Sequence, residues 1–258
     1  MKKNLVIFAA LISVLTACNK SVSSSSNDVN SSELQFISVN KDNDSTFNNI
    51  LLDGNGYWTK QWFESSSSNQ YWDYIRDGQN RIIEIHASGF NDSTVTNVYY
   101  SNQNEVAYTI LHHVNNSSQK DSIVYEYVNG KVSRINVFSP STSAQASYYN
   151  TYEFSNSNIT KVSSYNLQGA NYEEGLSYTF EYDNKINPFF SNDDANLLYN
   201  WNTASKNNIV KQTNHYGNYG IPDDYVTSEY VYGANNKPVS TKWYGPSIQT
   251  MEGYYFYK

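Results

Sequence analysis

The chain has one cysteine among 258 residues. Cys18 therefore has no partner for an intrachain disulfide, and the fold must be held by its core alone. Arginine is almost as scarce, with Arg76, Arg81 and Arg134 the three present. Once Lys2 and Lys3 leave with an N-terminal signal, 15 basic residues face 24 acidic ones, a net charge of −9. So acidic a chain, so short of guanidinium groups, is a poor match for a phosphate backbone, and nucleic acid is not an expected partner. Charged residues of both signs make up only 16%. No long stretch repeats apolar residues at helical spacing, which argues against a helical protein. The sequence also lacks a Gly-x-Ser-x-Gly elbow, a phosphate-binding loop and a His-Glu-x-x-His pair.

In place of these the chain has 25 tyrosines, with abundant Asn, Ser and β-branched residues. This composition points to an all-β protein. The clearest unit is Asp121 to Phe138, where two β-rich runs flank Asn129-Gly130. Asn-Gly favours a two-residue type I′ turn, because both central residues need positive φ. That turn predicts a register in which Tyr127 faces Val132, Tyr125 faces Arg134 and Val124 faces Ile135. Strict alternation then places Ile123, Tyr125, Tyr127, Val132 and Arg134 on one face. Val124, Glu126, Val128, Ser133, Ile135 and Val137 fall on the other. Both faces are mixed, so the pattern leaves the interior face undetermined.

Variants of the unit recur. Tyr74, Tyr100, Tyr127, Phe154 and Tyr182 follow at spacings of 26, 27, 27 and 28. Turn-forming residues and a Val- or Ile-anchored strand come after each, which marks a repeated hairpin. An earlier copy is expected at Ile50 to Trp62. Later copies are expected at Tyr199-Asn200-Trp201 leading to Ile209-Val210, and at Tyr230-Val231-Tyr232 leading to Val239. About fourteen to sixteen strands follow. The pattern breaks at Ile186-Asn187-Pro188-Phe189-Phe190, where Pro188 removes a ladder donor. Asn192 to Tyr199 is a candidate short helix.

At the N-terminus, Lys2-Lys3 precede an apolar run from Leu5 to Leu15 that is too short to span a bilayer. Leu15-Thr16-Ala17-Cys18 resembles the lipobox of bacterial lipoproteins, which implies cleavage before Cys18 and acylation of that cysteine. Residues 1–17 then form the signal, 18–32 a Ser/Asn-rich tether, and 33–258 a single β-repeat domain. Together with Tyr182-Asp183-Asn184-Lys185-Ile186-Asn187-Pro188-Phe189, these features resemble Bacteroidetes secreted lipoproteins of unknown function described as porin-like in fold. The hairpins resemble, more loosely, tyrosine-aspartate repeats of bacterial secreted shells. The resemblance implies fold and an outer-membrane address, and supplies no catalytic residues. The residues after Cys18, Asn19-Lys20-Ser21-Val22, lack the acidic surface signal usual in that group, so the leaflet stays open.

The aromatics are the best candidates for binding. Trp58, Trp62, Trp72, Trp201 and Trp243 offer flat amphipathic faces suited to stacking on sugars, set against their usual role in packing a sheet. Asp44-Ser45-Thr46, Asp92-Ser93-Thr94 and Asp121-Ser122-Ile123 resemble O-glycan acceptor motifs, with Ser45, Ser93 and Ser122 as acceptors. The acidic pairs Glu173-Glu174, Asp193-Asp194 and Asp223-Asp224 read as solvated loop charge. Glu126, Glu153 and Glu181 each stand between aromatics and read as the wet face of a strand. Adjacent His112 and His113 point to opposite faces, and His86 and His215 stand alone in sequence.

The expected architecture is an antiparallel up-and-down meander of hairpins in a closed or nearly closed barrel, with an open curved sheet as the alternative. The expected function is a lipid-anchored, non-enzymatic binding or structural module of the envelope. Its expected partners are the membrane, through Cys18, and a glycan or envelope protein. An outer-membrane pore and a carbohydrate-active hydrolase are the alternatives. The chain is expected to be a monomer with no cofactor and no metal.

Overall fold

The computed structural model describes residues 32–39, 45–53, 55–65, 69–89, 92–116, 120–190 and 204–257. The expected signal, the expected tether with Cys18, the candidate helix at 192–199 and Trp201 lie outside the described residues. The strands in chain order are β1 (Ser32–Val39), β2 (Ser45–Leu52), β3 (Trp58–Glu64), β4 (Asn69–Arg76), β5 (Ile82–Gly89), β6 (Asp92–Tyr100), β7 (Val106–His113) and β8 (Lys120–Val128). They continue as β9 (Lys131–Phe138), β10 (Tyr148–Ser155), β11 (Asn158–Gln168), β12 (Asn171–Ile186), β13 (Asn207–His215), β14 (Asp224–Tyr232), β15 (Pro238–Gly245) and β16 (Ile248–Tyr257). Each pairs antiparallel with its chain neighbours. Pairing of β1 with β16, from Leu34↔Tyr257 to Val39↔Glu252, closes the barrel. The closed form prevails over the open sheet because closure leaves no edge of unpaired N–H and C=O groups.

The Asn129-Gly130 turn forms as its chemistry requires, with φ of 54° and 71°. Gly130→Val is expected to lower stability by about 1 kcal/mol or more, since a β-branched residue is strained at positive φ. An unchanged urea midpoint would contradict this.

The register beyond that turn differs from strict alternation. Tyr127 faces Val132, but Glu126 faces Arg134, Tyr125 faces Ile135 and Val124 faces Asn136. Ser133 is the extra residue of a β-bulge. A bulge inverts the alternation, so Val132 and Ile135 both point inward. The two mixed faces thereby sort into an apolar interior and a polar exterior. The same bulge recurs at the start of each return strand, with Thr59, Ile83, Ala107, Thr160, Val210 and Val239 as extra residues. The hydroxyls of Thr59, Ser133 and Thr160 donate to the carbonyls of Leu51, Glu126 and Glu153 across the hairpin.

Each bulge also ends the ladder toward the next hairpin. At five seams a side chain from the next unit donates to the carbonyl of the strand's first or anchoring residue. Arg76 serves Trp58 at 3.0 Å, Tyr100 serves Ile82 at 2.9 Å, Tyr230 serves Ile209 at 3.2 Å and Tyr257 serves Pro238 at 2.9 Å. Tyr182 serves Ile159. Tyr100 and Tyr182 of the repeat are among these donors, and the pairing corrects the phase of the repeat. Arg76, not Tyr74, occupies the place of Tyr100 and Tyr182. Tyr74 faces Ile85 as Tyr125 faces Ile135.

The interior is a continuous apolar core in which Ile50, Ile82, Ile85, Val106, Val132 and Ile159 are at most 1% exposed. Burying each such side chain stabilises the fold by about 1.5–3 kcal/mol. The break in the repeat is an insertion inside one hairpin. Tyr182 pairs with Ile209 and Ile186 with Asn207, so Ile209-Val210 completes the unit begun by Phe180-Glu181-Tyr182, not one begun by Tyr199. Asn187 holds the detour: its Nδ2 donates to the Ser205 carbonyl at 3.1 Å, and its Oδ1 accepts from Phe189 N at 3.0 Å. Phe189 then packs against Phe36 of β1 and Tyr255 of β16, 5.7 and 5.9 Å between ring centroids. The Asn-Pro-Phe segment thus ties the interiors of distant strands together.

Candidate functional site: the seam between two hairpins

Hairpin β6–β7 ends in a five-residue turn in which Ser101 N donates to Glu105 O at 2.8 Å. Asn104 adopts a φ of 67° there. Hairpin β8–β9 ends in the tighter Asn129-Gly130 turn. Between these hairpins the β7–β8 ladder runs only from Tyr108↔Val124 to His112↔Lys120. Past Tyr108 the bulge at Ala107 turns the strand away, and a cavity of about 580 Å³ opens. Its floor is Val106, Tyr125 and Tyr127, which belong to the core. Its rim carries Ser101, Gln103, Glu105 and Asn129, and its outer lip is Tyr108 and Val124.

The lip belongs to a row of directly paired outward residues: Tyr99, Tyr108, Val124, Asn136, Tyr149 and Tyr165, from β6 to β11. Tyr99 and Tyr108 lie 4.5 Å apart with their planes at 13°, and are 39% and 40% exposed. Tyr149 and Tyr165 form a second stacked pair at 4.7 Å and 15°. The Arg134 guanidinium lies 3.6 Å from the Tyr149 ring centroid. Arg134 Nε donates to Asn136 Oδ1 and Asn136 Nδ2 to Glu126 Oε1, both at 2.7 Å. Sequence reading missed this row because its members lie on six strands. The only local trace was an aromatic at an outward position.

The tryptophans fare differently. Trp58 is 6% exposed in the core and Trp72 packs against it. Trp243 packs edge-on against Phe36, 5.6 Å between centroids. These three serve the interior. Trp62 is half-buried on the outer face, paired with Asn49 and with the exposed Tyr71. Ser45, Ser93 and Ser122 lie within β2, β6 and β8, not in loops. Ser93 and Ser122 each adjoin inward residues, so alternation points them outward near the barrel end opposite the bulges.

The strand glutamates form no acidic row. Glu126 lies 3.8 Å from Arg134, Glu153 3.8 Å from Lys161 and Glu181 3.0 Å from Lys211, each on its own return strand. Exposed pairs of this kind contribute little stability but keep the outer face wet. His113 Nε2 lies 3.7 Å from Asp121, and His86 contacts Glu84. Among the described residues no three His, Cys, Asp or Glu side chains converge as a metal site.

Thr179, His215 and Asp223 do converge. Thr179 Oγ1 is 3.0 Å from His215 Nε2, and His215 Nδ1 is 2.7 Å from Asp223 Oδ2. The order of atoms resembles a nucleophile–base–acid relay. Yet Thr179 is paired on both sides, with Lys161 and Thr213, so its own backbone is committed to the sheet and not to an oxyanion. The trio fastens the 216–223 connection to the barrel wall.

The fold and the seam define a closed antiparallel barrel with an apolar interior and a wet outer face. Among solved structures the chain is similar to a porin-like protein from Bacteroides uniformis, with a TM-score of 0.55 and 9% identity over 89% of this chain and 96% of that one. A porin-like protein from Bacteroides vulgatus matches with a TM-score of 0.41 and 8% identity over 87% and 97%. At such identities the first likeness establishes the fold alone. No family model and no curated protein matches the chain.

Proposed function

We propose that this protein is a lipid-anchored envelope protein whose barrel is a water-soluble, non-enzymatic binding or structural module. The observation that carries the reading is the distribution of polarity across the wall. A spanning barrel turns apolar residues to lipid and keeps a polar lumen. Here the core residues point inward, whereas Lys60, Asp73, Glu126, Arg134, Glu153, Lys161, Glu181 and Lys211 stand on the outer face. A charge on the lipid face costs up to about 2–4 kcal/mol at mid-depth, so this wall belongs in water. The lipobox-like Leu15-Thr16-Ala17-Cys18 supplies the membrane attachment that the wall does not.

Residues 19–258 are expected to sediment as a monodisperse species without detergent and to leave a planar bilayer silent. In cells fed a labelled fatty acid, the wild type is expected to carry label and Cys18→Ser to carry none. Detergent-dependent solubility with discrete conductance steps would favour the pore. Label on Cys18→Ser would remove the anchor.

A further inference from the structure

We propose that the seam between β7 and β8 binds a neutral saccharide. The proposal rests on the outer face being in water, because the seam opens there. The seam is an open groove of about 580 Å³, room for a small ligand laid on the wall rather than enclosed by it. Its chemistry narrows the class. No Lys, Arg or His lines it and Glu105 does, so phosphates and carboxylates are repelled. Ser101, Gln103 and Asn129 on the rim would lose their water to a purely apolar ligand with no hydrogen bond in return. An organic cation is held best by aromatic faces closed around it. Here Tyr125 and Tyr127 are turned into the core, and the aromatic surface on offer is one flat platform at the outer lip, Tyr108 stacked on Tyr99, each about 40% exposed. A pyranose satisfies all of these surfaces. Its C–H face lies on tyrosine, and its hydroxyls meet the amides, the serine hydroxyl and the carboxylate.

The outward row extends the site. Neighbouring strands stand about 4.8 Å apart, so Tyr149 on β10 lies about 14 Å from Tyr108 on β7. There Arg134 and Tyr165 already cover the Tyr149 ring, so a chain of several sugar units reaches from the stacked pair to the hydrogen-bonding edge of Arg134, Asn136 and Glu126. Saccharides are therefore bound more tightly as they lengthen, up to the span of the row.

The full chain, held in a detergent without a sugar headgroup, is titrated calorimetrically with neutral gluco-, xylo-, manno- and galacto-oligosaccharides from mono- to hexasaccharide. Choline and inorganic phosphate are titrated alongside. At least one series is expected to bind saturably and to tighten with length. Tyr108→Ala is expected to weaken it about tenfold or more. Glu126→Ala, at the exposed carboxylate of that edge, is expected to remove the gain of the longer chains only. Tyr225→Ala, at an exposed tyrosine elsewhere on the wall, is expected to change nothing. A thermal melt establishes that each variant is folded, and Gln103→Ala in the exposed turn replaces Tyr108→Ala if that variant is not. Absence of saturable binding in every series, binding indifferent to the seam variants, or binding of choline or phosphate in place of sugar would overturn the proposal. Sugar binding by a chain that needs detergent would keep the site and refute the soluble module. A soluble chain that ignores sugars would do the reverse.

Discussion

Raising the pH from about 10 to about 12 is expected to unfold the barrel in one cooperative step. Burial is the leading cause of raised tyrosine pKa values throughout the interior. It pushes Tyr182 and Tyr230 up to about 12 and holds Tyr152 and Tyr255 higher still. An unfolded tyrosine ionises near pH 10. Below that pH both states keep their protons and stability is unaffected. Above it the unfolded chain binds fewer protons than the folded one, so stability falls as pH rises toward the folded pKa. For Tyr182 and Tyr230 together the loss by pH 12 is about 5 kcal/mol, of the order of a domain's whole stability. Ionisation also removes the hydroxyl protons that Tyr182 and Tyr230 donate to the Ile159 and Ile209 carbonyls. Tyrosinate absorbance and far-ultraviolet circular dichroism would be followed together. The expected result is a lagging, steep ionisation coincident with loss of β-structure. A smooth titration of all 25 tyrosines near pH 10, with the dichroism unchanged, would contradict it.

Asp183→Ala is expected to cost about 3 kcal/mol, far more than removal of a surface acid. The carboxylate accepts the Tyr232 hydroxyl, the Lys185 N–H at 2.9 Å and the Asn208 N–H at 3.2 Å. Asn208 Nδ2 adds a longer contact at 3.3 Å. Asn208 is 2% exposed, so water cannot readily replace the lost acceptor. Asp183 also lies where β12 leaves the regular ladder, just before the segment that carries Phe189 inward. The comparison is Asp223→Ala, which removes a half-exposed partner of His215 and is expected to cost less than about 1 kcal/mol. Equal urea midpoints for the two variants would mean that the Asp183 network does not hold the insertion.

Local chemistry alone determined much of this protein. Tyrosine and β-branched richness forced strands, and Asn129-Gly130 forced a tight hairpin. The near-regular recurrence of aromatic and turn residues gave the meander. Those signals are legible because they depend on neighbours within a few positions. The interior face was not legible. One extra residue per return strand, such as Ser133, inverts the alternation, and only the partner strand reveals it. The tryptophans show the same limit: Trp62 and Trp72 look alike in sequence, yet one faces out and the other packs the core. Closure rests on β1 meeting β16, more than 200 residues apart. The stacked pairs at the seam depend on the register of six strands at once, which no local pattern encodes. Sequence settled which segments extend and turn, because backbone preference is local. Tertiary structure decided what lies inside, what lines the seam and which tyrosines stack, because those follow from register summed around a closed wall.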